Sequence, residues 1–468
     1  MKRVMKKEPR IHLPGEAVEV ADMLQARDGR AAAQKKLLAK YGQPLLCFTM
    51  NIPGPVKTSL LIRLGFLEGV RRLETALSKA KIPVLYKKQI AYKTGYEEYY
   101  VLQGDAQEIK KIAAGIENQD KVGRLFDMDV LDVDGRKLSR SELGLPGRLC
   151  LVCDEPAQAC ARSRKHAVPV LVRKIHRTLG EMLQGWTEKA LLDGLLGEVY
   201  ATPKPGLVDR DNPGAHKDMN VETFEKSTKA ILPYLLQMGE KGWDWSGTGT
   251  ELFTALRPLG AAAEKAMFLA THNVNTHKGI VFSLGLVTSF SLWQLAQTGN
   301  FDSEAILQSI GESVKPVLEK DFAKIDPFHP HTHGEILYIK QGIRGIRGEA
   351  MDGFPAVETI ALPMLRKLRK EGWEKEKTYI QTLLLLLSQV EDSNIISRSD
   401  LATLQWAQTE TRNVLDKGGA ATAEGLAAVW QLNEKFVEKN ISPGGCADLL
   451  ILSIYLLTME DSLKEKKG

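Results

Sequence analysis

EVYATPKPGLVDRDNPGAHKD, Glu198–Asp218, is the stretch on which the reading of this chain turns. It is too polar, and too rich in glycine and proline, to be a core helix or strand. Before it, Met182–Leu196 repeats apolar residues with helical period, and a second such run starts near Val221. It is therefore a long joint between helices. Joints of this length in a compact domain are either functional or disordered. Glu198, Lys204, Asp209, Arg210, Asp211, His216, Lys217 and Asp218 crowd it with ionisable groups, which argues for function. Lys204, held between Pro203 and Pro205, reads as a stiffly presented cation suited to a phosphate. The competing reading is a solvated helix–helix connection.

From this loop to the C-terminus the helical period persists, and strands alternating with helices are absent, which argues against a doubly wound sheet. The glycine-bearing joints between these helices carry the chemically interesting residues. Asn275, Thr276, His277, Lys278 and Gly279 precede an uncharged helix, whose N-terminus offers free N–H groups to an anion. His331 to Glu335 (with His333) form a second joint, and Arg344, Arg347 and Glu349 sit among glycines in a third. Glu391 to Arg398, with Asp392 and Asn394, make a fourth; Asn440 to Asp448, with Ser442, Gly444 and Gly445, make a fifth. Singly, each reads as a helix cap. Together they can converge on one face of a helical bundle as a polar, magnesium-dependent nucleotide site. No G-x-x-x-x-G-K-[ST] occurs, so it is not a P-loop.

Residues up to about Val172 read instead as mixed α/β. NIPGPVK, Asn51–Lys57, is a rigid turn ending in a lysine before a helix. GRLFDMDVLDVDG, Gly123–Gly135, has strand character, which puts Asp127 and Asp129 on one face. Two carboxylates so close repel unless a cation lies between them, and magnesium takes one or two carboxylates plus substrate phosphates. Lys57, Arg63, Arg148, Arg162 and Arg164 supply charge for a polyphosphate or an acidic protein partner. Cys150, Cys153 and Cys160, followed by His166, are a permitted zinc set. A second paired-ligand motif is missing, so reduced structural thiols are the expected state and zinc is not. The composition shift places a boundary near residue 175, giving domains over 1–175 and 176–468.

With 468 residues, each domain is long enough for its own core. A net charge of +5 fits an anionic ligand without calling for nucleic acid, and no long basic stripe is present. The basic N-terminus lacks an apolar segment behind it, so it does not read as a secretory signal. The uncharged run Gly279–Phe301 is interrupted by Ser283, Ser289, Ser291, Gln294 and Gln297, and reads as a buried helix rather than a membrane span. The expected location is the cytoplasm.

NIPGPVK, GRLFDMDV and the Cys150–His166 segment together resemble the citrate lyase holo-acyl-carrier-protein synthase family. YATPKPGLVDRDNPGAHKDM, NTHKG, THGE, RGEA and SPGGCADLL resemble the triphosphoribosyl-dephospho-CoA synthase family. Their order resembles a natural fusion of the two. Asn273 and Ile346 stand where glycine and alanine are usual, and Ser399 and Asp400 where glycines are usual. The resemblance implies an α/β nucleotidyltransferase-like domain followed by an all-α domain, and two consecutive reactions. In the first, the ribose 2′-hydroxyl of 3′-dephospho-CoA attacks C1′ of ATP and adenine leaves. In the second, the product is attached to a serine of the apo acyl carrier (gamma) subunit of citrate lyase, with release of diphosphate. Mg2+ would serve both steps, held by Asp127 and Asp129 in one domain and by Asp218, Asp392 and Asp448 in the other. Glu198, His277 and Glu349 would act in catalysis, His277 as acid toward adenine. Lys204, Asp209, His216, Asn275, Lys278, His333, Arg347, Asn394, Arg398, Ser442, Gly444 and Gly445 would bind substrate. Maturation of malonate decarboxylase, or a non-catalytic nucleotide-binding scaffold, are the alternatives.

Overall fold

A computed structural model describes residues 10–153, 155–330 and 332–463, with the side chain of residue 333 left out. The chain divides into two compact units at Gly185–Trp186.

The first unit is built on α1 (Val20–Tyr41), β1 (Leu45–Met50), α2 (Leu60–Lys79), β2 (Val84–Tyr92), β3 (Gly95–Leu102), α3 (Ala106–Asn118), β4 (Phe126–Leu131) and the short α4 (Ala157–Arg162). Side-chain caps set two of the helix starts, since Ser59 accepts from the Ile62 N–H and Asp105 from the Glu108 N–H. The strands form one antiparallel sheet in the order β2-β3-β1-β4. Strand alternation gives the sheet two different faces. On one, Phe48 stacks on Phe66 of α2 at 4.8 Å and meets Phe126 edge-on at 5.3 Å. The other face is split along its length. Leu45, Val101 and Leu131 lie under Leu37, Leu38 and Tyr41 of α1. Beyond them the same face turns polar: Glu97 pairs with Thr49, which pairs with Asp127, while Tyr99 pairs with Cys47, which pairs with Asp129.

α5 (Val168–Tyr200) runs unbroken through the composition shift near residue 175, and so contributes residues to both units. The second unit continues with α6 (Val221–Trp243), α7 (Gly249–Ala270), α8 (Lys278–Thr298), α9 (Ser303–Phe322), α10 (His333–Gln341), α11 (Gly345–Met351), a π-helical turn (Val357–Ala361) leading into α12 (Leu362–Lys370), α13 (Lys375–Leu387), α14 (Ser393–Arg398), α15 (Leu401–Asp416), α16 (Ala423–Glu438) and α17 (Gly444–Leu463). α8 is long and apolar enough to cross a membrane by composition alone, but 78% of its apolar window is buried within the protein. Its apolar surface is spent on α6, α7, α9 and α17.

The departures from the expected elements are short. α4, α10, α11 and α14 are too brief to show periodicity, and local capping holds two of the four: Thr332 begins α10 and Asp392 begins α14, while Gly342 ends α10 in the left-handed conformation; α4 and α11 lack a side-chain cap. Asn273 also has a positive φ of 66°, which accounts for glycine at that place in the sequence pattern.

Candidate active sites

The Glu198–Asp218 joint is not a solvated connection. Residues 203–209 are buried, and the loop is tied into the bundle by its own polar groups. Asp209 accepts the backbone N–H groups of Lys204 at 3.0 Å, Asp211 at 2.9 Å and Asn212 at 3.1 Å, while Asn433 of α16 accepts the Gly206 N–H. Gly206 has φ +71°, and a Cβ there would fall 2.0 Å from the Ile441 carbonyl oxygen, so only glycine fits. Asp209 is thus a residue that shapes the loop rather than one that meets substrate.

Lys204 is corrected as well. Its ammonium lies 2.5 Å from Glu198, with the two side chains 1% and 4% exposed. A cation so buried must be paired, and Glu198 pairs it. Lys204→Ala would leave Glu198 buried and unpaired. The expected result is a loss of about 3–5 kcal/mol in stability, measured by denaturant unfolding; a change under 1 kcal/mol would contradict the pairing.

Glu198 forms part of the wall of a cavity of about 520 Å3. Five other segments reach the same space: His216 from the loop, Asn275, His277 and Lys278 before and at the start of α8, Glu349 from α11, Asn394 and Arg398 from α14, and Ser442, Gly444, Gly445 and Asp448 at the start of α17. Some anticipated residues do not line it. Asp218 and Arg347 are exposed to solvent, Lys204 and Asp209 are buried behind the wall, and the His333 side chain lies outside the described residues. Arg344 lines the cavity in place of Arg347. Residues two apart on a helix point to different sides, so Glu349 and Arg347 of α11 cannot both face in.

Carboxylates dominate the wall, and each is differently placed. Asp392 is 1% exposed and spans two helix starts, accepting the N–H groups of Asn394 (2.8 Å), Ile395 (3.2 Å) and Cys446 (2.8 Å). Asp392 thus holds two helix starts together while lining the cavity beside Asp448. Asp448 sits over the start of α8, where a Cβ on Gly279 would come within 2.3 Å of its Oδ2. Burial, then the charges of Asp392 and Glu198, push its carboxyl well above the usual range. Glu349 is also raised, chiefly by burial, and its Oε2 is buried with no hydrogen-bond partner.

Both cavity histidines are neutral. His277 is buried, with Nδ1 2.7 Å from the Ser227 hydroxyl, which itself accepts from Thr276; the imidazole edge packs on Phe224. Burial drives its pKa down to about 3. With Nδ1 accepting from Ser227, Nε2–H is a neutral donor, so an acid role for His277 would be that of a neutral imidazole. His216 bridges Ser442 (2.9 Å) and Arg398 (3.2 Å), and burial with the Arg398 charge lowers it to about 4. Both folded pKa values lie below the unfolded value of about 6.5, so the unfolded chain binds these protons first. Their contribution is fully present above pH 6.5 and is lost as pH falls toward 4. His277 alone is expected to remove about 1.4 kcal/mol per pH unit in that window. Urea unfolding from pH 7 to 4.5 checks this, and His277→Leu should flatten the slope.

In the first unit, the polar end of the sheet borders a cavity of about 210 Å3 lined by Arg30, Thr49, Lys57, Glu97 and Asp127. Burial, and then the neighbouring Asp129 charge, raise the Asp127 pKa. Lys137 meets Asp129 at 2.5 Å, and Arg148 lies 3.5 Å from Asp127 while bonding Glu117 at 2.5 Å. Lys57 donates to the Ile52 carbonyl. Arg63 lies in the first turn of α2; Arg162 and Arg164 are exposed on and after α4, and none of the three lines this cavity.

The family described as ATP:dephospho-CoA triphosphoribosyl transferase (CitG) matches residues 185–467, and the one described as apo-citrate lyase phosphoribosyl-dephospho-CoA transferase (CitX) matches residues 18–182. The chain is 35% identical to "Protein CitXG" of Haemophilus influenzae, covering 95% of this chain and 97% of that one. It is 34% identical to "Protein CitXG" of Leuconostoc mesenteroides subsp. cremoris, covering 96% and 99%. The chain belongs to the CitXG family. A Vibrio cholerae protein named "Probable 2-(5''-triphosphoribosyl)-3'-dephosphocoenzyme-A synthase" is 37% identical over 65% of this chain and 94% of its own length. This CitXG-family chain is a bifunctional transferase of citrate lyase maturation, its CitX part preceding its CitG part.

Sequence reading missed two residues of the CitX part. Glu97 is 5% exposed, held by Arg30 at 2.6 Å and by the Tyr99 hydroxyl at 2.6 Å, on the same sheet face as Asp127. Lys137 is the other. Register makes Glu97 visible, and register is not written in a single strand; Lys137 is brought to Asp129 by the turn that follows β4.

Proposed function

We propose that the 520 Å3 cavity of the CitG part performs the triphosphoribosyl transfer and that the Asp127–Asp129 face of the CitX part performs the second transfer. The observation that carries the reading is the convergence of six separate polar segments on one cavity whose acids outnumber its cations. Such a wall cannot take two polyphosphates without added positive charge.

Mg2+ fits that donor set: Asp448, with its raised pKa beside two other acids, would hold it in the CitG part, and Asp127 with Asp129 in the CitX part. Bound there, the ion supplies charge neutralisation for substrate phosphates. Lys278, Arg344 and Arg398 hold phosphate oxygens from the rim. Glu349, with one oxygen unpartnered and its pKa raised chiefly by burial, takes the proton from the attacking 2′-hydroxyl of dephospho-CoA. The bond from that oxygen to C1′ of the ATP ribose forms as the bond to adenine breaks. His277 Nε2–H donates to the departing base.

In the CitX part, Asp127 and Asp129 face the phosphate undergoing attack by a serine hydroxyl of the apo acyl carrier subunit, with Arg148, Lys57 and Lys137 around them; diphosphate leaves. Two tasks of this kind fit a cytoplasmic enzyme, and we place the functional boundary within α5.

The test is adenine release from ATP and dephospho-CoA in chelator-free, Mg2+-free buffer. Release should fall to background, return on adding Mg2+, and in Asp448→Asn require much more Mg2+ for half-maximal rate. Full-rate release without a divalent ion contradicts the reading.

A further inference from the structure

Cys150, Cys153, Cys160 and His166 each offer a ligand atom, and all four atoms lie within 4.8 Å of one another. Two of the separations are 3.5 Å (Cys153 Sγ to Cys160 Sγ) and 3.2 Å (Cys153 Sγ to His166 Nε2). A tetrahedral zinc ion with Zn–S bonds of about 2.3 Å has ligand–ligand edges of roughly 3.8 Å. The four atoms are therefore already gathered at the scale of one coordination shell.

The backbone supports this arrangement independently. Cys150 and Cys153 sit on a tight hairpin closed by the Cys150 N–H to the Glu155 carbonyl (2.7 Å) and by the Ala157 N–H to the Arg148 carbonyl (2.8 Å). Inside the turn, the Val152 N–H points at Cys150 Sγ, 3.4 Å away, an orientation that stabilises a thiolate. Cys160 comes from α4, and His166 follows a residue in the left-handed conformation, Arg164 at φ 48°.

Apolar burial contributes little to holding the segment in shape. Among the described residues between 139 and 174, Cys160 alone is buried. A stretch whose regular structure is one 3-10 turn (Ser141–Leu143), α4 and the first two turns of α5, with no apolar core, is not fixed by burial, and small units in that condition are held by a covalent or metal staple.

We propose that Cys150, Cys153, Cys160 and His166 bind one structural Zn2+. Four protein ligands fill a tetrahedral shell, leaving no open position for a substrate or water, so the ion acts as a staple. Its consequence is local. The hairpin it closes begins at Arg148, whose guanidinium bonds Glu117 and the Phe126 carbonyl and reaches to 3.5 Å from Asp127. The zinc thus positions Arg148 at the start of β4. This inference does not depend on the roles proposed for the two cavities.

The test uses the full chain, purified without added metal and with any affinity tag removed. Elemental analysis should give one zinc per chain in wild type, with retention in Cys47→Ser and loss in Cys153→Ser. Because Cys153→Ser could misfold, a second measurement uses wild type. Replacement of the metal by Co2+ should give the intense visible bands of a tetrahedral, thiolate-rich site. Removal of the metal should lower the thermal transition of the first unit and leave that of the second in place. A chain that folds with substoichiometric zinc and yields no tetrahedral cobalt spectrum overturns the proposal. So does isolation of a stable Cys153–Cys160 disulfide in the folded, metal-free enzyme.

Discussion

Glu349→Gln is expected to cut adenine release by about a hundred- to ten-thousand-fold, the range for removal of a positioned general base. The substitution keeps shape and removes only the proton acceptor. Stability should not fall, because Glu349 is half-buried with one oxygen, Oε2, that finds no donor, and a neutral amide costs less to bury than a carboxylate. That combination, lost chemistry with retained stability, separates a catalytic group from a structural one. Wild type should show the matching pH dependence. The folded pKa of Glu349 is raised, chiefly by burial, so the base is protonated, and the rate falls, at a higher pH than for a solvent-exposed glutamate. Steady-state release from pH 5 to 8 measures it. A Glu349→Gln enzyme with wild-type release would transfer the base role elsewhere on the wall.

The second large effect is on the other half of the chain. Asp127→Asn should reduce labelling of the carrier subunit by at least about a hundred-fold, the scale of losing one electrostatic contact to the transition state, with adenine release untouched. Asp127 and Asp129 share a face, and burial together with mutual repulsion raises the Asp127 pKa. Removing one charge relieves that repulsion, so Asp127→Asn should fold at least as stably as wild type in a thermal scan. If carrier labelling survives, the paired acids are not the metal clamp. If adenine release fails as well, the two chemistries are not divided between the two parts.

Both sites were partly legible before the structure, for different reasons. Asp127 and Asp129 are an alternation signal within one strand, and period two alone puts them on a common face. The cavity of the CitG part was legible as a set of joints, because glycine, proline and ionisable residues cluster where helices end. What pattern could not supply is direction. Lys204 has the composition of a phosphate ligand, yet its charge is consumed by Glu198, six residues earlier on the end of α5. Asp392 and Asp448 look alike as acidic residues beside glycine. Both line the cavity, but Asp392 also caps two helix starts, whereas Asp448 lies over the start of α8. Arg344 and Arg347 differ only in helical phase, which a seven-residue helix does not reveal from sequence. Asp400, where glycine is usual, caps α15 by accepting the Thr403 N–H, a local use that the sequence pattern leaves open. The cysteines are the opposite case. Their spacing lacked a second paired motif, whereas the hairpin and α4 bring three thiols and an imidazole together across sixteen residues of chain.

The most direct test of the division of labour supplies purified triphosphoribosyl-dephospho-CoA, with apo carrier subunit and Mg2+, to Glu349→Gln and to Asp127→Asn. The account predicts that Glu349→Gln labels the carrier at the wild-type rate although it releases no adenine from ATP, and that Asp127→Asn fails to label it. Failure of Glu349→Gln to use the supplied intermediate, or labelling by Asp127→Asn at the wild-type rate, would contradict it.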